Sequence, residues 1–345
     1  MKAAVLENLE KMVVKEVRTP TIGKEEILVR VRSCAVCGSD IRIYHQGNPR
    51  VKPPQIIGHE IAGEVVEVGE GIENFKVGDR VATGADVPCG VCKFCKNGLG
   101  NNCSINYAIG YQFPGGFAEY IPLNETTVKY GPLHKIPDNL SFDEASLAEP
   151  LACCLNGYEL ANLRIGDTVA VIGAGPVGLM LVELAKNLGA GKIILSQRSK
   201  ERLKVAKKFS ADIFISSSEE NFRQRVMEET KGEGVDVVMV ACANPFAQQE
   251  ALEVLGHRGR VNFFGGLPPG SAKIKIDSNL IHYRECFVLG SHGSTPRQHK
   301  IALDLLSRGI IKGKDFITHH FGLDEIKKAF KVAEKHQGLK VIVNP

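Results

Sequence analysis

The sequence has no tryptophan, no long apolar run and little net charge. Its longest apolar stretch, residues 169–184, is interrupted by glycines, a proline and a glutamate. It is too short and too broken to span a bilayer. Residues 1–17 lack the apolar core of a signal peptide, so we expect a cytoplasmic protein that does not bind a membrane. No sequence repeat is visible, which argues against a solenoid.

The charge balance argues against a nucleic-acid partner. Lysine and arginine number 43 and aspartate and glutamate 39, a net charge of +4. Nucleic-acid binding usually shows a concentrated basic face, whereas the short cluster Lys204, Lys207 and Lys208 has the spacing of a solvated helix face. With 43% apolar residues the chain is not disordered, and its 345 residues predict two domains.

The chain changes character near residue 150. Before it, short strand-like runs separated by turns predict a β-rich domain, and after it strands and helices alternate. Short apolar strands that alternate with helices imply a doubly wound, Rossmann-type parallel sheet in an α/β fold. The predicted strands are residues 168–172, 192–196, 212–215, 235–240, 260–264 and 287–289, and the predicted helices are 176–188, 199–209, 221–230 and 245–255. The tail predicts helices 296–308 and 324–336 and a strand 340–343.

A dinucleotide fingerprint, G-x-G-x-x-G, occupies residues 173–178. It follows a predicted strand and opens a predicted helix, which is the context that the motif needs. The glycines allow a tight turn and a close approach of the backbone to a pyrophosphate at the helix N-terminus. The alternative is an ordinary glycine-rich turn. The candidate cofactor contacts are Gly173, Gly175, Pro176, Val177 and Gly178.

The end of the second strand indicates which cofactor is bound. An NAD site usually has an Asp or Glu there that holds the ribose 2′-hydroxyl. This sequence has Ser196, Gln197 and Arg198 instead. An arginine beside hydroxyl groups attracts a 2′-phosphate, so we predict NADP(H) in preference to NAD(H). The alternative is that Arg198 is a surface residue.

Four of the ten cysteines are closely spaced. Cys89, Cys92, Cys95 and Cys103 form the pattern C-x2-C-x2-C-x7-C on a segment rich in loop-forming residues. Four thiolates suit a closed tetrahedral zinc site. An iron–sulfur cluster and a pair of disulfides are the alternatives, and without an export signal we favour structural zinc.

A second set of potential metal ligands is dispersed along the chain. His59 and Glu60 form part of Gly-His-Glu, Cys37 lies upstream, and Glu149 precedes a proline downstream. Cysteine, histidine and carboxylate ligands could form a zinc site with one position open for substrate. Each residue alone would be interpreted as structural, and only their combination indicates a metal site.

The motifs together resemble the zinc-dependent medium-chain dehydrogenase/reductase family, in its alcohol, polyol and threonine dehydrogenase branch. Its zinc signature is matched by residues 58–72, and the resemblance covers essentially the whole chain. It implies a GroES-like catalytic domain with a structural-zinc lobe from residues 1–152 and 288–345. A Rossmann domain, residues 153–287, is inserted between these parts, with the active site in the cleft.

The resemblance also implies two zinc ions per chain. The catalytic zinc is implied on Cys37, His59 and Glu149, with Glu60 either a ligand or one that exchanges on and off, and the structural zinc on the four clustered cysteines. A glutamate at 149 resembles the polyol branch, whose members are commonly tetramers. We therefore expect a homo-oligomer, a tetramer or a dimer.

The implied reaction is reversible hydride transfer between a secondary alcohol or polyol, free or phosphorylated, and NADP(H). Ser39 is the candidate for the first step of the proton relay. Arg42 stands where polyol dehydrogenases often carry a histidine, while Arg50 and Lys52 suit an acidic substrate or are surface residues. One alternative is a threonine-type amino-alcohol dehydrogenase that uses NAD. Another, of a different class, is a zinc-ribbon binding module.

Overall fold

The computed structural model describes residues 1–345, without the side chain of Pro269, and the chain divides into two compact units. Residues 1–152 and 293–345 form one unit, here called the catalytic unit. Residues 153–292 form the other, the nucleotide unit. The predicted second boundary, after residue 287, would cut through the strand Phe287–Gly290, which belongs to the nucleotide unit.

Strands and short helices alternate along the whole chain. The strands are β1 Lys2–Asn8, β2 Lys11–Glu16, β3 Ile27–Ala35, β4 Gln55–Ile56, β5 Glu60–Val68, β6 Arg80–Thr83, β7 Asp86–Val87, β8 Tyr107–Ala108, β9 Tyr120–Leu123, β10 Leu133–Lys135, β11 Thr168–Ile172, β12 Lys192–Gln197, β13 Ile213–Ser216, β14 Val235–Val240, β15 Leu255–Phe263, β16 Phe287–Gly290, β17 Ile317–Gly322 and β18 Lys340–Asn344. The α-helices are α1 Gly38–Gln46, α2 Lys93–Lys96, α3 Glu125–Tyr130, α4 Phe142–Ser146, α5 Ala148–Ala161, α6 Pro176–Asn187, α7 Lys200–Ala206, α8 Phe222–Glu229, α9 Pro245–Glu253, α10 Ser278–Arg284, α11 Pro296–Ser307 and α12 Ile326–Glu334. Short 3-10 turns lie at Gly100–Asn102, Pro269–Ser271, Gly313–Asp315 and Leu323–Glu325.

The nucleotide unit contains a six-stranded sheet in the order β13-β12-β11-β14-β15-β16. Every neighbouring pair is parallel. This is the doubly wound order of dinucleotide-binding domains, and it confirms the predicted Rossmann-type sheet. The central strands β11 and β14 are apolar and almost completely buried, because helices of a parallel sheet cover both faces.

The catalytic unit is rich in β-structure, as predicted. Its seven-stranded sheet runs β10-β6-β5-β3-β18-β17, with β9 paired to β3 as well. A smaller sheet, β2-β1-β4, and the pair β7-β8 complete it. The core includes fully buried Ile27, Val65, Phe117 and Val343. Residues from both ends of the unit's sequence therefore share one core.

The strand register gathers distant parts of the chain at one place. Ala35 of β3 pairs with Glu60 of β5 on one side and with Ile342 of β18 on the other. The residues next to these positions include Cys37, His59 and Lys340. Strand pairing therefore brings three separate segments of the catalytic unit together.

Among the described residues, no helix has the length and apolar character that crossing a bilayer requires.

His45 is expected to make the stability of the catalytic unit depend on pH. Its Nδ1 lies 2.7 Å from Glu10 Oε1 and its Nε2 lies 2.9 Å from Glu334 Oε1, so it joins α1 to α12 and to the β1–β2 turn. The hydrogen bond that His45 donates to Glu10, aided by Glu334, raises the pKa of His45. A histidine whose pKa is higher in the folded state than in the unfolded state stabilises the fold when it is protonated. This stabilisation is fully present below the pKa of the unfolded state, about 6.5, and is lost as the pH rises through the pKa of the folded state.

Replacing His45 by glutamine should therefore lower the thermal midpoint more at pH about 6 than at pH about 9. The measurement is the difference in midpoint between wild type and variant at each pH. His282→Gln, at an exposed histidine of α10, is the matched control and should show no such trend. An H45Q penalty that is equal at both pH values would contradict the role of the His45 charge.

Candidate metal centre and cofactor loop

Cys37 lies at the N-terminus of α1, directly after the turn that ends β3. The backbone N–H of Cys37 donates to Asp40 Oδ2 at 2.9 Å, which closes a capping box at this helix end. The other carboxylate oxygen of Asp40, Oδ1, lies 3.3 Å from His59 Nδ1. The fully buried Asp40 thus fixes the helix start and orients His59. The prediction missed it, although an Asp three residues after an N-cap is a recognisable signal.

His59 and Glu60 enter the site at the start of β5. Gly58 before them has a φ of +98°, and a Cβ there would lie 2.8 Å from the buried sulfur of Cys34. Both facts require glycine. His59 is 3% exposed and Glu60 is completely buried. Burial lowers the pKa of His59, but the facing Asp40 and Cys37 outweigh it and hold that pKa well above its usual range.

The structure brings three of the four predicted catalytic ligands together. One ligand atom each from Cys37, His59 and Glu60 lies within 4.8 Å of the others. A sulfur, an imidazole and a carboxylate form a donor set that suits zinc with an open coordination position. The residues present therefore fit a catalytic zinc ion.

Glu149, the fourth predicted ligand, is not part of this group of three. It lies near the start of α5 and is 6% exposed. Burial raises the pKa of Glu149 to about 7; repulsion from Glu60 adds to this, and the positive charge of His59 opposes it. Glu149 thus shares the electrostatic environment of the site, and its ligation remains a prediction.

Lys340, at the start of β18, is the counter-charge of this centre. Its ammonium group contacts both carboxylate oxygens of Glu60, and both side chains are nearly or fully buried. Burial alone would lower the pKa of Lys340. The neighbouring Glu60 and Cys37 raise that pKa by more than burial lowers it, so the lysine stays charged. The prediction did not include Lys340. The available signal was a lysine that opens an apolar strand.

Ser39 lies beside two of the candidate ligands. Its hydroxyl donates to Cys37 Sγ at 3.0 Å, and its Oγ is 3.3 Å from His59 Nε2. These are the atoms whose lone pairs a metal ion would take. The predicted relay residue is therefore next to the candidate centre, within hydrogen-bond reach of its ligands.

The four clustered cysteines converge on a second point. The four sulfur atoms lie within 4.8 Å of one another. The sulfur–sulfur distance is 3.5 Å between Cys92 and Cys95 and 4.0 Å between Cys89 and Cys95. A tetrahedron with zinc–sulfur bonds of about 2.3 Å has sulfur separations of about 3.8 Å. All ten cysteines are free thiols, which excludes the disulfide alternative in this structure. The spacing leaves room for a single ion.

The thiol pKa values also fit a bound cation. Backbone N–H groups of Cys95 and Ser104 lower the pKa of Cys92 to about 5. Burial and the neighbouring Cys92 raise the pKa of Cys95 to about 12. Backbone N–H groups outweigh burial and lower the pKa of Cys103 as well. The lobe thus stabilises thiolates at Cys92 and Cys103 but not at Cys95. A dication would favour the thiolate at all four corners.

The predicted cofactor loop joins β11 to α6. Gly173 has a φ of +109°, and a side chain at Gly178 would overlap the carbonyl oxygen of Gly173. Gly175 is the N-cap of α6 and Pro176 is its first residue. Val177 follows in the same first turn. The first backbone N–H groups of a helix have no partner within the helix, which is what a pyrophosphate site requires.

Strand β12 and the helix α7 that follows it each supply one contact to the loop. Gln197 Oε1 accepts from the N–H of Ala174 at 2.9 Å, and Arg202 Nη1 donates to the Ala174 oxygen at 3.2 Å. Gln197 therefore occupies the strand end where NAD sites usually have a carboxylate. Ser196 is buried and Arg198 is exposed. Arg202, which the prediction did not include, is a second cation beside the loop.

The fold and the two sets of ligands define a zinc-binding dehydrogenase with a dinucleotide domain, and comparison with known proteins agrees. Residues 23–138 match the alcohol dehydrogenase GroES-like domain, and residues 176–308 match the zinc-binding dehydrogenase domain. The chain is 34% identical to the sorbitol dehydrogenase of Bacillus subtilis over 100% of this chain and 97% of that protein. It is 31% identical to the L-threonine 3-dehydrogenase of Enterobacter sp. over 95% of each.

A solved structure with similar coverage is a zinc-binding dehydrogenase from Sinorhizobium meliloti 1021, bound to NADP. It has a TM-score of 0.93 and 32% identity, over 100% of this chain and 99% of that chain. The chain belongs to the zinc-dependent medium-chain dehydrogenase/reductase family, in its alcohol and polyol dehydrogenase branch. It is an oxidoreductase that acts on the CH–OH group of its substrate.

Proposed function

We propose that the protein oxidises a secondary alcohol group of a polyol to a ketone, reversibly, with NADP⁺ as hydride acceptor. The observation that carries the proposal is the convergence of Cys37, His59 and Glu60 in the catalytic unit. The polyol class is supported by the similarity to a sorbitol dehydrogenase over the full chain. The bound NADP of the similar Sinorhizobium protein supports the cofactor class.

Two zinc ions per chain are part of the proposal. Cys37, His59 and a carboxylate, Glu60 or Glu149, would hold the catalytic ion, and the four clustered cysteines would hold the structural one. When bound, the catalytic ion would supply a Lewis acid for the substrate hydroxyl, and the nicotinamide would supply the hydride acceptor. The chain itself orients His59 through Asp40 and neutralises Glu60 through Lys340. It thereby keeps the ligands in place.

Ser39 is proposed as the first step of a proton relay: its oxygen accepts the proton of the substrate hydroxyl while its own proton passes on toward solvent. Ser39→Ala should lower kcat at least about a hundredfold, the usual scale of a lost proton-transfer group, without loss of zinc. Turnover and zinc content per chain are the two measurements. Ser39→Thr keeps a hydroxyl and should restore part of the rate. Full activity of S39A would remove Ser39 from the proton path.

NADP preference is proposed to rest on the neutral Gln197 and on nearby arginines, with Arg198 as the direct phosphate contact. Arg198→Ala should lower kcat/KM for NADP⁺ about ten- to a hundredfold, the range of a lost charge-assisted hydrogen bond, and leave NAD⁺ nearly unchanged. Arg223→Ala, at an exposed arginine of α8, is the control. An equal loss with both cofactors, or activity with NAD⁺ only, would contradict the assignment.

A homo-oligomer is proposed because the nucleotide sheet ends in an open strand. Within the described residues nothing pairs with the outer edge of β16, whose Phe287 and Val288 are 47% and 39% exposed. An open apolar edge favours pairing with a second copy. The molecular mass of the protein in solution tests whether it forms an oligomer.

The ten free cysteines support the proposed cytoplasmic location, because the cytosol keeps thiols reduced.

The substrate is tested by turnover of the zinc-replete protein on a matched panel. The panel contains free polyols, their monophosphates and L-threonine, each with NAD⁺ and with NADP⁺. The expected result is turnover of a polyol or its phosphate, faster with NADP⁺. Turnover of threonine alone, with NAD⁺, would replace the proposal with an amino-alcohol dehydrogenase.

A further inference from the structure

Tyr111 lies beside the candidate metal centre but has no role in the function described so far. It lies in the segment between β8 and β9. Its backbone is held at both polar groups: its N–H donates to the Ala108 oxygen at 3.3 Å, and its oxygen accepts from Gln55 Nε2 at 2.8 Å. The backbone of Tyr111 is therefore fixed by the catalytic unit.

The ring of Tyr111 faces the centre. Its centroid is 5.8 Å from that of the His59 ring. A phenolic hydroxyl has an ordinary pKa of about 10, so at neutral pH it is protonated and can donate a hydrogen bond. The Tyr111 side chain thus brings a hydrogen-bond donor to the neighbourhood of the candidate centre.

Arg50 fixes the ring of Tyr111 from a further direction. Its guanidinium carbon lies 4.9 Å from the Tyr111 centroid, in cation–π geometry. Arg50 Nη2 in turn donates to the Asn106 oxygen at 2.5 Å and to Gln112 Oε1 at 3.4 Å. The guanidinium is thus anchored to Gln112, next to Tyr111, and to the residue that precedes β8. Arg50 consequently acts as a support for the ring.

We propose that Tyr111 is a specificity-determining residue, whose hydroxyl binds a second substrate hydroxyl adjacent to the one that is oxidised. This rests on the proposed function, because it assumes a substrate with neighbouring hydroxyl groups. A fixed donor beside the reacting position favours such a substrate. An analogue that lacks the second hydroxyl leaves the donor unpaired, and the enzyme discriminates against it. Arg50 is the positioning residue that holds Tyr111.

The test uses two probes that differ by one hydroxyl, 2,3-butanediol and 2-butanol. Tyr111→Phe removes only the phenolic oxygen. It should lower kcat/KM for the diol about tenfold, which is the effect of one lost hydrogen bond. The kcat/KM for 2-butanol should change less than about twofold. The inhibition constant of the diol against 2-butanol oxidation should rise by a similar factor. Zinc content and thermal midpoint should not change.

Tyr107→Phe is the matched control, because Tyr107 lies in the neighbouring strand β8 and is 37% exposed. It should leave both probes unaffected. Arg50→Gln should lower the diol-to-butanol ratio in the same direction as Y111F. Equal losses on both probes, or an unchanged ratio in Y111F, would overturn the proposal for Tyr111 and leave the polyol dehydrogenase intact. A wild type inactive on every polyol of the panel and on the diol would instead overturn the proposed function, and the inference with it.

Discussion

Lys340→Met should lower the free energy of unfolding by about 3–5 kcal/mol, the cost of leaving one charge of a buried pair unpaired. The reason is the position of Glu60, which is completely buried and contacts the Lys340 ammonium with both carboxylate oxygens. Methionine matches the lysine stem in size but supplies no charge. Glu60 would then have to be protonated or hydrated, and either change opens the core where β3, β5 and β18 meet.

The measurement is urea unfolding of zinc-replete wild type and variant. The double variant Lys340→Met with Glu60→Gln removes both charges, and it should recover part of the lost stability. Lys300→Met is the matched control, since Lys300 pairs with Asp304 at the surface and both are about half exposed. Its effect should stay below about 1 kcal/mol. If K340M also lowers the free energy of unfolding by less than about 1 kcal/mol, the buried pair contributes little to stability.

Cys95→Ser should remove one zinc ion per chain and unfold the lobe formed by residues 89–103. This lobe has almost no core of its own: Cys103 is its one buried apolar side chain, while Val91 and Leu99 are 65% and 47% exposed. An ion held by four thiolates is then the main force that keeps the lobe folded. Serine is a much poorer zinc ligand than cysteine.

Limited proteolysis and zinc counting measure this effect. Cleavage within residues 89–103 should become at least about a hundredfold faster, which corresponds to about 2.7 kcal/mol of lost local stability. Cys286→Ser, at a cysteine of the nucleotide unit, should change neither cleavage nor zinc content. The assignment fails if C95S keeps the full zinc content, or if its lobe resists protease as wild type does.

The nucleotide sheet was largely predictable because its strands are buried on both faces. The strands predicted at residues 168–172 and 235–240 coincide with β11 and β14. The strand predicted at residues 260–264 is longer in the structure, where β15 begins at Leu255. Polar His257 and Arg258 interrupt the apolar pattern there, Arg258 has a φ of +57°, and the pairing with β14 jumps from Leu255 to Arg260.

The metal centre was predictable only in part. Cys37, His59 and Glu60 lie in recognisable motifs, and the structure brings them together. Lys340 belongs to the same centre through the pairing of β18 with β3, a contact between residues about 300 positions apart. Tyr111 and Arg50 reach the site through the folding of an irregular segment. Local sequence patterns carry no record of such long-range contacts.

The place of β18 also affects the order in which the protein can fold during synthesis. The nucleotide unit is continuous in sequence, residues 153–292, and can form as soon as it leaves the ribosome. The catalytic unit has to wait, because β18 emerges after the whole nucleotide unit. Until then Glu60 lacks Lys340, and the end of β3 at Cys34 and Ala35 lacks its partner strand. The nascent chain therefore carries a folded nucleotide unit beside an incomplete metal centre.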